Sequence, residues 1–581
     1  MAIAVYRTIS SGKKLYVSAP TGIGKTISTL FPSVKALGEG KAHKIFYFSA
    51  KTVTRGVVEE ALRRMASKGS RLKSVTLRAK DKICLNSERA CTPDLCEYAK
   101  GHFDRVNDAL FALVSENDII TADKTAEYAS IHRVCPYELS LDAALWCDLV
   151  IGDYNHVFDP IVYLRRFFDG QKSDYIFLID EAHNLEDRVR DMYSPVLLKS
   201  LTYKAGRAIK GRDKESGIAR KALKGLGAYL ADKGKFQAGV SAEIDIDLLD
   251  KTKDASTALS VWLIKNKGGQ AQEGSTFDEL LDYYFELGHF LLVSQVYNEC
   301  FTTITETKGS DCIVTLFCLD PSKVISASLE KGLGSVLFSA TLTPLNYYCE
   351  MLGGSQEDFV LSLPSPFDPS RLKTISHIGI STKYTQRAES YAPIAKVIRE
   401  TVSERRGNYM VFFPSYEYMH NVYEQFAEFT PEVSSLLQKK EMTEEEREEF
   451  LERFSESNTE TLVGFTVLGG IFSEGIDLTG ERLSGVIIVS VGIPMINPRR
   501  DLIRDYFEQK NGRGYDYAYV FPGMNKVLQA AGRVIRTETD SGIVLLIDSR
   551  YREAKYQGLF PKHWEKMEYV RGGGIMSPAD S

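Results

Sequence analysis

The stretch Leu15-Tyr16-Val17-Ser18-Ala19-Pro20-Thr21-Gly22-Ile23-Gly24-Lys25-Thr26 decides the fold of this chain. Leu15–Ser18 reads as a buried strand, and Ile27–Leu37 reads as the helix that follows. Between them runs G-x-x-x-x-G-K-[ST], with Ala19 in place of the first glycine. Gly22 and Gly24 let backbone N–H groups close around phosphate oxygens at a helix N-terminus, where the dipole favours anions. In this pattern Lys25 reaches the β- and γ-phosphates of a nucleotide and the Thr26 hydroxyl binds Mg²⁺. The strand before and the helix after set it apart from a chance glycine-rich turn.

Downstream, Tyr175-Ile176-Phe177-Leu178-Ile179 is a continuous apolar run, as expected of a parallel strand buried on both faces. It ends in Asp180-Glu181-Ala182-His183. A carboxylate at the C-terminal end of such a strand lies where open α/β sheets bind ligands. Asp180 can hold Mg²⁺ and Glu181 can polarise an attacking water. Asp-Glu alone would read as an acidic surface turn; the upstream phosphate loop gives the pair its meaning. Further on, Gln529, Arg533 and Arg536 recur at i, i+4 and i+7. On a helix they share one face, an arrangement suited to a γ-phosphate and the charge that builds up during transfer. A solvated basic helix face is the plainer reading of those three alone.

Between the phosphate loop and the acidic box lie Cys84, Cys91, Cys96 and Cys135, spaced C-x6-C-x4-C and then distant, with Pro136 after the last. Structural zinc sites usually close with short knuckles, and no C-x2-C is present. Four cysteines with a proline after the last also occur in iron–sulfur ligation. Zinc and free thiols are the alternatives. Cys147, Cys300, Cys312, Cys318 and Cys349 sit mostly among apolar residues and read as small buried hydrophobes.

Together these segments resemble the motifs of superfamily 2 helicases, and more narrowly the iron–sulfur XPD/DinG family. Ala19–Thr26 is similar to motif I, Phe48–Thr52 to motif Ia, Asp180–His183 (the DEAH box) to motif II and Ser339–Leu342 to motif III. Asn408–Tyr416 is similar to motif IV, Gly470–Asp477 to motif V and Gln529–Arg536 to motif VI, while Asp153-Tyr154-Asn155-His156 matches a segment preceding motif II. The resemblance covers nearly the whole chain. It implies an ATP-dependent DNA helicase, an ATP hydrolase travelling 5′→3′ on single-stranded DNA, in repair or recombination. It implies an ATP·Mg²⁺ site at Gly22, Gly24, Lys25, Thr26, Asp180 and Asp477, with Glu181, Gln529, Arg533 and Arg536 catalytic. It further implies a [4Fe–4S] cluster on Cys84, Cys91, Cys96 and Cys135. DNA contacts are expected at Lys51, Thr52, Tyr154, Asn155, His156, Ser415 and Tyr416.

The expected fold is α/β: two RecA-like motor domains, with an iron–sulfur insertion and a mainly helical arch inserted in the first. Residues 1–80, 137–190 and 310–372 would form the first motor domain, 81–136 the cluster domain, 191–309 the arch and 373–581 the second motor domain. The first motor fold would resume after the arch at Ile313–Leu342. The arch begins basic (Lys204, Arg207, Lys210, Arg220, Lys224) and turns acidic near Glu243–Asp250. Thr443-Glu444-Glu445-Glu446 reads as a capping box opening a helix, and the last residues, from Gly572, as a frayed tail.

Length fits three to five domains for 581 residues. The net charge of −5 supplies no global field for nucleic acid, so binding would rest on local charge and stacking, at single strands or single/double-strand junctions. No apolar run approaches the ~18–20 residues that span a bilayer, and nine cysteines without a secretory segment fit a reducing compartment. A cytoplasmic, nucleoid-associated protein of bacterial type with no membrane partner is expected. The chain opens at Met1–Tyr6, in what reads as the helix after the family's adenine-reading Arg/Gln segment. The alternative functions are an N-terminally truncated, weakly active DNA-binding ATPase, an ATPase acting on protein or small molecules, or a helicase preferring RNA or RNA–DNA hybrids.

Overall fold

The computed structural model describes the chain except for residues 51, 88–90, 92, 171, 267–275, 474–477 and 573–581, and the side chains of residues 52 and 53. The contacts expected at Lys51, at the Thr52 side chain and at Asp477, and nearly all of the frayed tail, fall outside the described residues. The chain divides into two compact units. One is Met1–Tyr16, Thr26–Phe338 and Cys349–Val360; the other is Val17–Lys25, Ser339–Tyr348 and Leu361–Ser581.

An eight-stranded sheet runs, in spatial order, Phe359–Ser362, Lys14–Ser18, Gly334–Ser339, Tyr175–Asp180, Lys44–Phe48, Leu149–Gly152, Ser74–Thr76 and Ile119–Ile120. From Gly334–Ser339 onward each neighbouring pair is parallel. Strands covered on both faces need continuous apolar runs, and Lys44–Phe48 is buried along its whole length. The Phe46 ring stands 5.2, 5.0 and 5.3 Å from those of Phe167, Phe168 and Tyr175. Burying one such ring stabilises the fold by roughly 1.5–3 kcal/mol. Register then places the site. Phe338 lies opposite Asp180, and Phe48 opposite both Ile179 and Gly152, so the chain leaves these strands along one edge.

Ile119–Ile120 pairs with Ser74–Val75 at the far edge of this sheet. The segment assigned from sequence to the cluster insertion therefore supplies a strand to the parallel sheet. Two apolar residues are too short a run to show a strand period. Around them stand the helices His102–Glu116, Ala122–His132 and Pro136–Trp146.

The stretch expected to be a mainly helical arch has four long helices, Lys199–Ala208, Lys214–Phe236, Ile246–Lys265 and Thr276–Ser294. It also carries a four-stranded antiparallel sheet, ordered Val196–Leu198, Asp311–Cys318, Phe301–Lys308, Gly239–Ser241. This corrects the re-entry point. Asp311–Cys318 returns as a hairpin onto Phe301–Lys308 through Gly309, at φ +61°, and the parallel sheet resumes only at Gly334. The apolar run Ile313–Phe317 has the composition of a buried parallel strand, and composition does not choose between parallel and antiparallel partners.

In the other unit a seven-stranded sheet runs Ser434–Leu437, Leu462–Val467, Asn408–Phe413, Gly485–Val489, Gly542–Ile547, Leu372–His377, Glu568–Val570, parallel throughout. Its core joins Val411, Phe413, Phe465, Ile487 and Leu545 to Ile394, Ile398, Val422 and Phe426 of the helices Tyr391–Glu404 and Tyr416–Phe429. The capping box forms as read: Thr443 accepts from Glu446 N–H, and the Glu446 carboxylate accepts from Thr443 N–H.

Candidate nucleotide site

Asp180 is the last residue of its strand and is 4 % exposed. Three ties hold it. Its Oδ2 accepts from the Tyr47 hydroxyl at 2.6 Å, its Oδ1 from Glu181 N–H at 2.8 Å, and its carbonyl oxygen from the Tyr154 hydroxyl. The Tyr47 phenol is also hydrogen-bonded to the Thr26 side chain. Burial, then the charge of Asp180, raises the Tyr47 phenol far above its ordinary value, so it remains a protonated donor. Thr26 and Asp180, the two candidate Mg²⁺ ligands, thus share one bridging hydroxyl. Both offer hard oxygens, a donor set that fits Mg²⁺ completed by waters and phosphate.

Glu181 follows with φ +50°, the left-handed region that a residue bearing a Cβ seldom occupies. Such a conformation costs on the order of 1–3 kcal/mol and clusters at functional positions. The Glu181 carboxylate lies 3.4 Å from His183 Nδ1.

In the phosphate loop Gly22 and Gly24 take φ +83° and +68°, a conformation that only glycine adopts readily. Ala19 N–H donates to Ser339 O at 2.8 Å, tying the loop to the segment expected as motif III. A Cβ on Gly22 would fall 2.1 Å from Cζ of Phe367, so that ring rests directly on the loop. Lys25 opens the helix Lys25–Gly38.

The Tyr154-Asn155-His156 segment takes a different role from the one expected. Tyr154 is fully buried and bonded to Asp180, which removes it from reach of a nucleic acid strand. The His156 ring packs against Gly152, where a Cβ would meet its Nδ1 at 2.3 Å, and that nitrogen accepts from Asp153 N–H. Burial lowers the His156 imidazole to about 4, so it is neutral at physiological pH. Tyr154 thus braces the end of the acidic strand, and His156 packs on the neighbouring strands through Gly152 and Phe48. Asn155 stands beside them, half-buried.

The helix expected to carry Gln529, Arg533 and Arg536 on one face spans Phe521–Ala531 and is capped by Gly532. Only Gln529 lies on it, buried, donating to Asn525 Oδ1 at 3.3 Å; Asn525 in turn donates to the Tyr348 hydroxyl. Arg533 and Arg536 follow in the turn. Buried Val534 anchors that turn, and Asp540 Oδ2 accepts from Arg536 N–H at 2.8 Å and Thr537 N–H at 2.9 Å. The i, i+4, i+7 spacing was compatible with a helix; Gly532 and the Asp540 bonds end it. Ser415 caps the helix Tyr416–Phe429 by accepting from Tyr418 N–H, and the Tyr416 hydroxyl accepts from Gln438.

Cys84 and Cys135 are half-buried, Cys96 buried and Cys91 exposed. Burial pushes the Cys135 thiol up, and Lys80 is raised above its ordinary value, burial opposing its charge and Cys91 favouring it. Cys96 Sγ accepts from Asn86 at 3.1 Å, and Cys135 precedes Pro136 at a helix N-terminus. Among the described residues no three His, Cys, Asp or Glu side chains are gathered as a metal cage.

The residues that sequence reading missed are Tyr47, Phe367 and Asp540. A tyrosine in the otherwise apolar run Lys44–Phe48 was the available signal for the first, because a hydroxyl buried in a core needs a partner.

Two parallel sheets of this kind, each covered by helices, fit two RecA-like folds, and the phosphate loop and acidic strand place the chain among nucleotide-driven motors. The family described as Helicase C-terminal domain matches residues 398–567, and DEAD_2 matches residues 57–201. A probable ATP-dependent helicase of Methanocaldococcus jannaschii is 22 % identical over 95 % of this chain and 91 % of its own length. An ATP-dependent DNA helicase XPD of Sulfolobus acidocaldarius is 23 % identical over 92 % of each. An ATP-dependent DNA helicase DinG of Photobacterium profundum is 28 % identical over 39 % of this chain and 33 % of its own length. Among solved structures, an XPD helicase superposes with a TM-score of 0.63 at 18 % identity, covering 98 % of both chains. The two domain matches and these relatives support an XPD/DinG-type superfamily 2 helicase, an ATP-dependent enzyme. Among the described residues no helix is long and apolar enough to cross a membrane.

Proposed function

We propose that this chain couples ATP hydrolysis to 5′→3′ movement along single-stranded DNA and to duplex unwinding, in repair or recombination. The observation that carries the reading is the Thr26–Tyr47–Asp180 cluster with strained Glu181 beside it. In this reading Gly22, Gly24 and Lys25 hold the phosphates, and Mg²⁺, when bound by Thr26 and Asp180, neutralises charge on them. Glu181 takes the proton of the attacking water. Arg533 and Arg536 stabilise charge on the γ-phosphate during transfer, and Gln529 orders that segment from within the core. Cys84, Cys91, Cys96 and Cys135 are the candidate ligands of a [4Fe–4S] cluster. DNA as substrate is supported by the names of the XPD and DinG relatives.

The test is hydrolysis measured with and without single-stranded DNA, in wild type and Glu181→Gln. Wild type should be stimulated by DNA. The variant should still bind ATP but turn over roughly 10²–10⁴-fold more slowly, as loss of a general base implies. Stimulation by RNA alone, or native turnover in the variant, would overturn the assignment. Unwinding of duplexes with a 5′ or a 3′ single-stranded tail tests the direction.

A further inference from the structure

We infer that Tyr47 is a positioning residue for the Mg²⁺ subsite, holding Asp180 in the orientation the ion requires. The inference deepens the proposed ATP site and rests on it.

The geometry begins with the strand. Tyr47 is the fourth residue of Lys44–Phe48, and its side chain is completely buried. Its ring packs edge-on to Phe338, with centroids 6.1 Å apart. Phe338 is the residue paired with Asp180 across the neighbouring strands. The phenol is thereby fixed by the same sheet that presents the carboxylate. Its hydroxyl donates to Asp180 Oδ2 at 2.6 Å and is bonded to Thr26. The other carboxylate oxygen accepts from Glu181 N–H. With both oxygens tied, the carboxylate plane has no free rotation, and Thr26 is held close to it before any ion arrives.

Groups behind a metal ligand orient it and tune its affinity, and losing one typically costs 10–100-fold in metal affinity or activity. A hydroxyl that served only to fill the core would be replaced by the surrounding packing without such an effect. Of the hydroxyls described above as bonded to Asp180, that of Tyr47 reaches its carboxylate and also touches Thr26, whereas that of Tyr154 reaches its backbone carbonyl. That difference makes the inference testable.

The experiment follows binding of a fluorescent, non-hydrolysable ATP analogue as Mg²⁺ is titrated, alongside thermal melting, in wild type, Tyr47→Phe and Tyr154→Phe. Tyr154→Phe also removes a buried hydroxyl from Asp180, but from its backbone carbonyl rather than its carboxylate. The Mg²⁺ midpoint should rise roughly 10–100-fold in Tyr47→Phe, with analogue binding in EDTA unchanged, and should move much less in Tyr154→Phe. An unchanged or lower midpoint in Tyr47→Phe would overturn the inference. Equal shifts in both variants would assign the effect to loosened packing and overturn it too. Loss of the fold in Tyr47→Phe would make the hydroxyl a stability element and count against the inference in the same way. If wild type itself showed no Mg²⁺-dependent analogue binding, the ATP site would fall, and this inference with it.

Discussion

At the scale of single residues, Asp540 shows how a side chain just outside a motif can govern it. Its carboxylate accepts from Arg536 and Thr537 N–H, from the Thr537 hydroxyl at 2.5 Å, and from Gly480 N–H at 3.2 Å. Burial opposes the charge, but the Thr537 hydroxyl and the three backbone donors outweigh it, so the carboxyl titrates below its ordinary 3.8. A carboxyl with a depressed folded pKa contributes stability that is complete above the unfolded value and lost as pH falls through the folded one. The turn bearing Arg533 and Arg536 should therefore keep its shape at neutral pH and loosen only in acid. Asp540→Ala should reduce turnover by roughly 10²-fold, the effect of about an ångström of misplacement, with a smaller change in ATP affinity. Asp540→Asn should recover part of the loss, since an amide oxygen still accepts hydrogen bonds. Native turnover in the alanine variant would show that the turn holds itself.

At the scale of elements, the decisive event is where the helix Phe521–Ala531 stops. Gly532 caps it, and the polypeptide then follows Asp540 rather than the 3.6-residue period. The element also starts unusually: a π-helical turn, Asp516–Val520, precedes it, with Pro522 in its first turn. Proline has no N–H to give and tolerates such a position. The two arginines thus sit on a braced turn, which presents guanidiniums from a fixed backbone without requiring one helix face. Arg533→Ala and Arg536→Ala should each lower hydrolysis far more than ATP binding, within the roughly 10³–10⁵-fold range of arginine fingers. Lysine should not rescue either, because an ammonium does not reproduce the planar fork. Paired measurement of nucleotide affinity and DNA-stimulated turnover decides. Equal losses in both would make these arginines ground-state ligands.

At the scale of the whole molecule, the cysteine segment and the nucleotide site are built from different parts of the chain. Cys84, Cys91, Cys96 and Cys135 belong to the stretch between the strands Ser74–Thr76 and Leu149–Gly152, whereas Asp180, Tyr47 and Thr26 gather at the C-terminal ends of central strands. Protein purified without oxygen should be brown and contain roughly four irons per chain. Changing any one of the four cysteines to serine should remove the colour and duplex unwinding together, while hydrolysis falls less. Stoichiometric zinc, or unwinding that survives the substitutions, would rule out the cluster.

The sequence alone determined those features that depend on neighbours along the chain. A strand, a glycine-rich turn and a helix sit within one short stretch at Leu15–Leu37, and the apolar run before Asp180 ends in its own motif. The Thr443 capping box closes between residues three apart. The tertiary structure decided what depends on residues far apart. Tyr47 and Asp180 meet because their strands are adjacent and in register; Tyr154 turned inward to the carbonyl of Asp180, 26 residues on. Asp311–Cys318 found an antiparallel partner that its composition did not name. Gly532 ended the helix before Arg533, and Asp540, four residues beyond Arg536, competed for the backbone N–H of Arg536. In each case the local pattern permitted more than one conformation, and burial with hydrogen-bond satisfaction chose among them.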